Sequence, residues 1–216
     1  MTFNVDISRM ATFPLSRRGP QSRILITGAS SGIGEALALH YARAGTHLVL
    51  WGRNQERLDK VAAQAQRHGA TTETLALDLC DTDAALAALR EADDVSPIDI
   101  LVLGAGLGDI RPENELTELP EQVKTISLVN FTTPVTLATE MARRMAPRGS
   151  GNIALIGSVA AFHDLPVATA YSGSKAGLAR FSTALHAAMT PHNVHVTLVS
   201  PGYVDTPMSQ RLEGAR

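Results

Sequence analysis

Three residues in the second half of the chain, Ser158, Tyr171 and Lys175, have types and a spacing suited to proton transfer. On a helix, residues i and i+4 share a face, so the phenol and the ammonium would lie about one turn apart. A free phenol has a pKa near 10, and a cation within about 4–6 Å favours the phenolate. The hydroxyl of Ser158 can hold an oxygen on which charge develops. We therefore predict a general acid–base unit.

The spacing of Tyr171 and Lys175 alone also fits an ordinary helix, in which the ring packs on the core and the lysine extends beside it. The N-terminal third of the chain favours the chemical interpretation. Segment 23–27 has the apolar, β-branched composition of a strand buried on both faces. Segment 28–34 contains three glycines, and segment 35–45 is rich in helix formers and ends at a glycine.

A strand, a glycine-rich turn and a helix in this order are typical of a dinucleotide site. Glycines let the backbone approach a pyrophosphate, and the helix N-terminus offers unpaired N–H groups and a partial positive charge. The spacing here is G-x-x-x-G-x-G, one longer turn than G-x-G-x-x-G. The alternative is a plain tight turn without a ligand. The residues predicted to contact a cofactor are Gly28, Ser30, Ser31, Gly32, Ile33 and Gly34.

The residue after the second predicted strand indicates which dinucleotide binds. In dinucleotide-binding folds, an acidic residue at the end of the second strand binds the ribose 2′-hydroxyl of NAD. This chain has Gly52 followed by Arg53, whose guanidinium can pair with a 2′-phosphate. The sequence therefore favours NADP(H) over NAD(H). In the alternative interpretation, Arg53 stacks on adenine or faces solvent.

Asp78 follows the third apolar run, 74–77, and has two equally good interpretations. Its carboxylate can accept a hydrogen bond from the adenine amino group, or it can cap the next helix. Asp81 has the same choice, and the two residues can divide the roles between them.

Length and composition fit one globular domain, residues 22–216, after a flexible tail of residues 1–21. The net charge of −2 and the lack of a basic stripe argue against nucleic acid. No apolar run is long enough for a membrane span or a secretory leader, so we expect a cytoplasmic protein. The single Cys80 excludes an internal disulfide, and the histidines lack metal-ligand spacing, so we expect no metal.

Strand-like and helix-like segments alternate, which predicts a doubly wound parallel α/β sheet of the Rossmann type with helices on both faces. The predicted strands lie near 23–27, 47–51, 73–77, 98–103, 152–157 and 194–199, and the predicted helices near 33–44, 54–67, 82–91, 120–145 and 171–189. Ligands in such sheets bind at the carboxyl ends of the strands. Residues that directly follow predicted strands should therefore converge on one crevice.

The segment Thr27-Gly-Ala-Ser-Ser-Gly-Ile-Gly34, with Ser158 and Tyr171-x-x-x-Lys175, resembles the short-chain dehydrogenase/reductase family over roughly residues 22–208. The resemblance implies that Tyr171 is the general acid/base, that Lys175 assists it and holds the nicotinamide ribose, and that Ser158 orients a carbonyl or alcohol substrate. It places the family's catalytic asparagine at Asn130. It implies a homodimer or homotetramer. The further cofactor contacts implied are Asp78, Leu79, Gly104, Ala105, Gly106, Tyr171, Lys175, Pro201, Gly202, Val204 and Thr206.

Two departures from the family pattern lead to a second hypothesis. Leu103-Gly-Ala-Gly106 stands where the family usually has Asn-Asn-Ala-Gly, and the chain ends at Arg216, before a seventh strand. We therefore expect the C-terminal strand to be missing. The alternative to an NADP-preferring oxidoreductase is a catalytically weak or inactive NADP-binding sensor or scaffold. By position, the residues expected to face a substrate are Gly108, Asp109, Phe162, His163 and Tyr203. For His163, a surface or capping position is favoured over contact with a substrate.

Overall fold

A computed structural model of the chain describes residues 22–108 and 110–213, so the predicted tail of residues 1–21 lies outside the described residues. Six parallel strands form one sheet in the order β3-β2-β1-β4-β5-β6. The predicted Rossmann-like α/β fold is confirmed. The strands are β1 (Ser22–Thr27), β2 (Thr46–Gly52), β3 (Thr71–Ala76), β4 (Ile100–Leu103), β5 (Gly151–Ile156) and β6 (Val194–Val199).

Helices cover both faces of the sheet. They are α1 (Gly32–Tyr41), α2 (Gln55–Arg67), α3 (Thr82–Val95), α4 (Pro120–Ser127), α5 (Thr133–Met145), α6 (Thr169–Met189) and α7 (Pro207–Glu213). α7 is a helix that the sequence patterns did not predict. None of the helices in the described part of the chain has the length and hydropathy needed to cross a membrane.

Alternate residues of the central strands feed two separate cores, as expected for strands buried on both faces. Ile24 and Ile26 of β1 pack with α1 and α2 on one face, where Leu58 is fully buried. Leu25 between them points to the other face and packs with α3, α5 and α6, where Leu137 is fully buried. The three-layer arrangement therefore fixes the carboxyl ends of β1, β4 and β5 side by side.

The chain runs outward in both directions from β1, which pairs with β2 on one side and β4 on the other. This reversal of strand order leaves a crevice between the loops that follow β1 and β4. The hydroxyl of Thr27, at the end of β1, accepts hydrogen bonds from the N–H groups of Gly104 at 3.1 Å and Ala105 at 3.3 Å. It braces the two loops where Leu103-Gly-Ala-Gly106 lacks the family's asparagines.

The helix predicted over 120–145 is continuous in the chain but is interrupted by a π-turn at Leu128–Thr132. The N–H of Thr133 bonds to the carbonyl of Leu128, five residues earlier. Pro134 explains the interruption, because proline has no N–H to donate to the carbonyl of Asn130 and its ring crowds that carbonyl. The helix therefore contains one extra residue in this turn. Such π-turns occur frequently at functional sites.

Candidate active site

An open cleft of about 880 Å³ lies at the carboxyl ends of the strands. Its size falls within the range of small-molecule sites. The structure brings together in its walls all of the predicted cofactor contacts and three of the four catalytic candidates. These lining residues are Gly28, Ser30, Ser31, Gly32, Ile33, Gly34, Arg53, Asp78, Leu79, Gly104, Ala105, Gly106, Ser158, Tyr171, Lys175, Pro201, Gly202, Val204 and Thr206.

The glycine turn between β1 and α1 forms one end of the cleft. Gly28 has φ +73°, and a Cβ there would lie 2.7 Å from the Cα of Ala105, so only glycine fits. Gly34 has the same restriction, since a Cβ there would lie 2.2 Å from the carbonyl oxygen of Gly28. α1 begins at Gly32, and the side chain of its N-cap residue, Ser31, makes no capping hydrogen bond. The first N–H groups of α1 are therefore available to an anion.

Charged side chains in the cleft follow β2 and β3. Arg53 and Arg57 are both exposed and both line the cleft, while no carboxylate follows β2 directly. Asp78 lines the cleft and accepts a hydrogen bond from the N–H of Cys80 at 3.0 Å. Asp81 is the cap of α3, since its side chain accepts from the N–H of Ala84 at 2.9 Å. The structure thus assigns the helix cap to Asp81 and leaves the Asp78 carboxylate in the cleft, where its contact with adenine stays a prediction.

Tyr171 and Lys175 lie on adjacent turns of α6, with the Lys175 Nζ 5.8 Å from the centre of the Tyr171 ring. Lys175 is only 4% exposed, and its ammonium donates to the carbonyl of Ile156 at 2.8 Å. Burial lowers the pKa of Lys175 to about 8. Ser158 is buried after β5 in the same cleft, and its hydroxyl accepts from the N–H of Ala160 at 3.1 Å. The hydroxyl hydrogen of Ser158 therefore remains available to a ligand oxygen.

Asn130 lies behind the wall of the cleft and does not line it. Its amide oxygen accepts from the N–H of Leu107 and its amide nitrogen donates to the carbonyl of Leu107, both at 2.8 Å. A Cβ on Gly106 would lie 3.5 Å from this amide oxygen and 3.7 Å from the Lys175 Nζ. The side chain of Asn130 thus holds the loop after β4 in place beside Lys175. The sequence did not predict this bracing role.

The last wall of the cleft is the segment that follows β6 and leads into α7. A Cβ on Gly32 would lie 3.3 Å from the methyl carbon of Thr206, which places this segment directly over the glycine turn. The hydroxyl of Ser209 accepts from the N–H of Thr206 at 2.9 Å and so fixes the start of α7. Ser209 also lines the cleft. It was not predicted, because a single serine outside any predicted helix carries no recognisable pattern.

The prediction that Phe162 faces a substrate is wrong, whereas His163 takes the surface position that the sequence favours. Phe162 is 66% exposed, and neither it nor His163 lines the cleft, because the turn after Ser158 points both to the surface. Gly108 and Tyr203 line the cleft as predicted, and Asp109 lies outside the described residues. A group of apolar residues lines the same cleft as Tyr171 and was not predicted, because no sequence motif marks them. These are Leu107, Ile110, Leu165, Val167 and Met208.

The described residues fit a nicotinamide dinucleotide. The glycine turn with the uncapped start of α1 provides an anion site at one end of the cleft. At the other end, the ammonium of Lys175 is buried and bonded to one carbonyl, so two of its three donors can reach ribose hydroxyls. The apolar and glycine-rich wall between them, at Gly104–Gly106, allows close approach of a sugar or ring.

Comparison with known proteins agrees with this geometry. The family pattern of the short chain dehydrogenases matches residues 22–216. A dehydrogenase/reductase SDR family protein 7-like of Anopheles gambiae is 35% identical over 192 residues, covering 86% of this chain and 60% of that protein. A short-chain dehydrogenase from Sphingobium yanoikuyae, solved in complex with NADPH, is 33% identical with a TM-score of 0.81, covering 89% of this chain and 75% of that one.

The similarity extends to an enzyme named for its substrate. The bulky-bulky ketone specific alcohol dehydrogenase from Comamonas testosteroni is 31% identical with a TM-score of 0.77, covering 85% of this chain and 74% of that one. This chain spans 59% or 60% of the length of several relatives that it matches. The family match covers the glycine turn, the sheet and the cleft alike. The chain therefore belongs to the short-chain dehydrogenase family.

Proposed function

We propose that this protein is an NAD(P)-dependent oxidoreductase acting on a carbonyl group or a secondary alcohol. One observation carries the proposal: a tyrosine and a buried lysine share the cleft that begins at a glycine turn suited to a pyrophosphate. Family membership supports the same reaction class. When bound, the nicotinamide supplies or takes the hydride at the reacting carbon, and the protein supplies positioning and proton transfer.

In the direction of reduction, Ser158 donates a hydrogen bond to the carbonyl oxygen and orients it. Tyr171 gives its phenolic proton to that oxygen as negative charge develops there. The ammonium of Lys175, on the next turn of α6, stabilises the negative charge that remains on the phenol oxygen. Asn130 keeps the loop that carries Leu107 against this group. In the direction of oxidation the same residues act in reverse order.

The apolar side chains beside Tyr171 support a substrate with apolar substituents. Leu165 and Val167 precede the helix that carries Tyr171, and both line the cleft. Met208, at the start of α7, reaches to 3.9 Å from the position of a Cβ on Gly106. Apolar walls around a few placed polar groups are the usual composition of a small-molecule site. We therefore propose ketones, aldehydes or secondary alcohols with alkyl or aryl substituents.

The test is a two-stage assay of the purified chain. Binding of NADPH and NADH is measured first, by cofactor fluorescence. Oxidation of the bound cofactor is then followed with a panel of alkyl and aryl ketones and aldehydes. Turnover supports the oxidoreductase, whereas tight cofactor binding without turnover on the whole panel supports the sensor or scaffold hypothesis. Absence of cofactor binding contradicts both.

A preference for NADP(H) is part of the proposal and rests on Arg53. We expect Arg53→Asp to weaken NADPH binding by roughly 10- to 150-fold, the equivalent of one lost charge-assisted hydrogen bond of about 1.5–3 kcal/mol. NADH binding should stay equal or improve, because the new carboxylate can accept from the ribose 2′-hydroxyl. Dissociation constants for both cofactors measure the change.

The matched control for this prediction is Arg67→Asp, the same charge change on an exposed residue at the far end of α2. A long-range electrostatic effect would weaken NADPH binding in both variants. An Arg53→Asp protein with unchanged affinity for NADPH would show that this guanidinium does not contact the 2′-phosphate. The cytoplasmic location expected from the sequence stays a prediction. The expected homodimer or homotetramer also stays a prediction, which sedimentation of the purified chain would test.

A further inference from the structure

Glu118 is a buried carboxylate that the proposed chemistry does not use. It is only 3% exposed, and within residues 22–108 and 110–213 no Lys, Arg or His pairs with it. Both of its oxygens bind the first residues of α6. Oε1 accepts from the N–H of Ala170 and Oε2 from the hydroxyl of Thr169, each at 2.8 Å. Glu118, which lies in the loop before α4, therefore caps the N-terminus of α6.

α6 needs such a cap because it has none of its own. The residue at its N-cap position is Ala168, which has no side-chain acceptor. The first N–H groups of a helix are otherwise unpaired, and a negative charge beside them interacts favourably with the helix dipole. Burial would raise the pKa of Glu118, but the hydrogen bonds from Ala170 and Thr169 outweigh it and hold that pKa below its usual value. The carboxylate is therefore charged at neutral pH.

The capped turn is the one that carries Tyr171, which directly follows Ala170. Lys175 lies one turn further along α6 and is held separately by its bond to the carbonyl of Ile156. Loss of the cap would therefore loosen the phenol and leave the ammonium in place. This separation distinguishes a local effect on Tyr171 from a general loss of the site.

The loop that delivers Glu118 is itself tied to the same region. The N–H of Arg111 donates to the carbonyl of Val167 at 2.8 Å, just before α6 begins. The side chain of Gln122, on α4, donates to the carbonyl of Ile110 at 2.8 Å. Ile110 and Val167 both line the cleft beside Tyr171. The loop after β4 and the start of α6 thus form one connected unit, with Glu118 at its centre.

We propose that Glu118 is a positioning residue that fixes the phenol of Tyr171 for proton transfer by capping the first turn of α6. The inference rests on the proposed function, since it assigns Glu118 a role in the same reaction. Displacement of a reacting group by about 1 Å can cost about 10²-fold in rate. The residue acts through Ala170 and Thr169 and does not itself touch the substrate.

The experiment compares Glu118→Ala with Glu118→Gln. The alanine variant loses both acceptors, and we expect kcat to fall about 10- to 100-fold while the dissociation constant of the cofactor stays within about twofold. The glutamine variant keeps an amide oxygen for the N–H of Ala170, and its amide can donate to Thr169. It should recover most of the lost kcat. Rescue by the isostere is not expected of a residue that contributes only its charge, because glutamine is neutral.

Two controls separate positioning from stability. Glu113→Ala removes an exposed carboxylate from the same loop and should leave kcat unchanged. Ile98→Val introduces a small core defect just before β4, at the amino ends of the strands and away from the cleft, and shows what a modest loss of stability does to kcat. Hydrogen exchange in the cofactor-free chain gives a readout besides activity. The amides of residues 169–171 should exchange faster in Glu118→Ala, and those around Lys175 should not.

Each outcome decides between defined alternatives. A Glu118→Ala protein with wild-type kcat and unchanged exchange at residues 169–171 overturns the inference. So does a parallel loss of kcat and cofactor affinity, because the whole site would then have changed. Tyr171→Phe, measured in the same assay, separates the two proposals. If that variant is as active as the wild type, or the wild type has no turnover, the proposed function fails and the positioning role fails with it.

Discussion

Replacement of Tyr171 by phenylalanine is expected to lower kcat by about 10²–10⁴-fold, the usual contribution of a placed general acid or base. The substitution removes one hydroxyl and keeps the ring, so the packing around α6 should not change. Lys175 keeps its bond to Ile156, and the glycine turn is untouched. Cofactor affinity should therefore stay close to the wild-type value. Steady-state rates with the best ketone of the panel, together with the cofactor dissociation constant, provide the measurement.

Tyr41→Phe is the matched control, because Tyr41 is a buried tyrosine on α1 outside the cleft lining. It tests whether loss of any phenol from this fold changes the rate. Turnover that survives in Tyr171→Phe would refute the role of this phenol as the proton donor. A large loss of cofactor affinity in Tyr171→Phe would instead show that the hydroxyl acts mainly in binding.

Replacement of Lys175 by methionine is expected to make the protein more stable and to abolish its activity. The buried ammonium has a pKa of about 8, against an ordinary value of 10.5, and burial is the cause. Such a lowering corresponds to roughly 3 kcal/mol of destabilisation at neutral pH. Methionine removes this cost but leaves the carbonyl of Ile156 without its donor, so we expect a net gain of about 1–2 kcal/mol in unfolding free energy.

The pH dependence of this gain has a defined sign. Below about pH 8, Lys175 is charged in the folded and the unfolded chain, and the full cost of burial is present. Between about pH 8 and 10.5 the unfolded chain binds the proton and the folded chain does not, so wild-type stability rises relative to the variant. The advantage of Lys175→Met should therefore shrink across this range and become constant above it. Urea unfolding of both proteins at several pH values tests the prediction.

Lys60→Met is the matched control for the stability measurement. Lys60 is 71% exposed on α2 and pairs with Glu56 at 2.7 Å, an arrangement that contributes little to stability. Its replacement should give a small difference from wild type that is the same from about pH 6 to about pH 10, where Glu56 and Lys60 are both charged. If the Lys175→Met difference is equally independent of pH, the ammonium is not buried in the folded protein in the way described.

The architecture was predictable because its signal is carried by whole segments. All five predicted helices and all six predicted strands correspond to observed elements, since apolar runs buried on both faces are hard to mistake when they alternate with helix formers. The cleft followed from topology, because residues after parallel strands meet at one edge. α7 was missed, since its seven residues have no long apolar pattern to reveal them.

The finer placement of side chains depends on contacts between distant segments, which periodicity does not encode. Phe162 and His163 follow a strand, as Ser158 does, yet the intervening turn directs them to the surface. Asn130 was identified through family resemblance, but its bonds to Leu107 join residues 23 positions apart. Glu118 gave no signal at all, because its partners on α6 are more than 50 positions away.

Pro134, four residues after Asn130, limits the stability that the long helix 120–145 can reach. Alanine at position 134 would be the better helix former by up to about 3 kcal/mol and would restore a backbone donor. Closing the widened turn, however, would shift one half of the helix by a residue and rotate it by roughly 100° against the other half. Asn130 would then face away from Leu107, and the wall beside Lys175 would lose its brace. Selection for helix stability and selection for catalytic activity thus oppose each other at position 134.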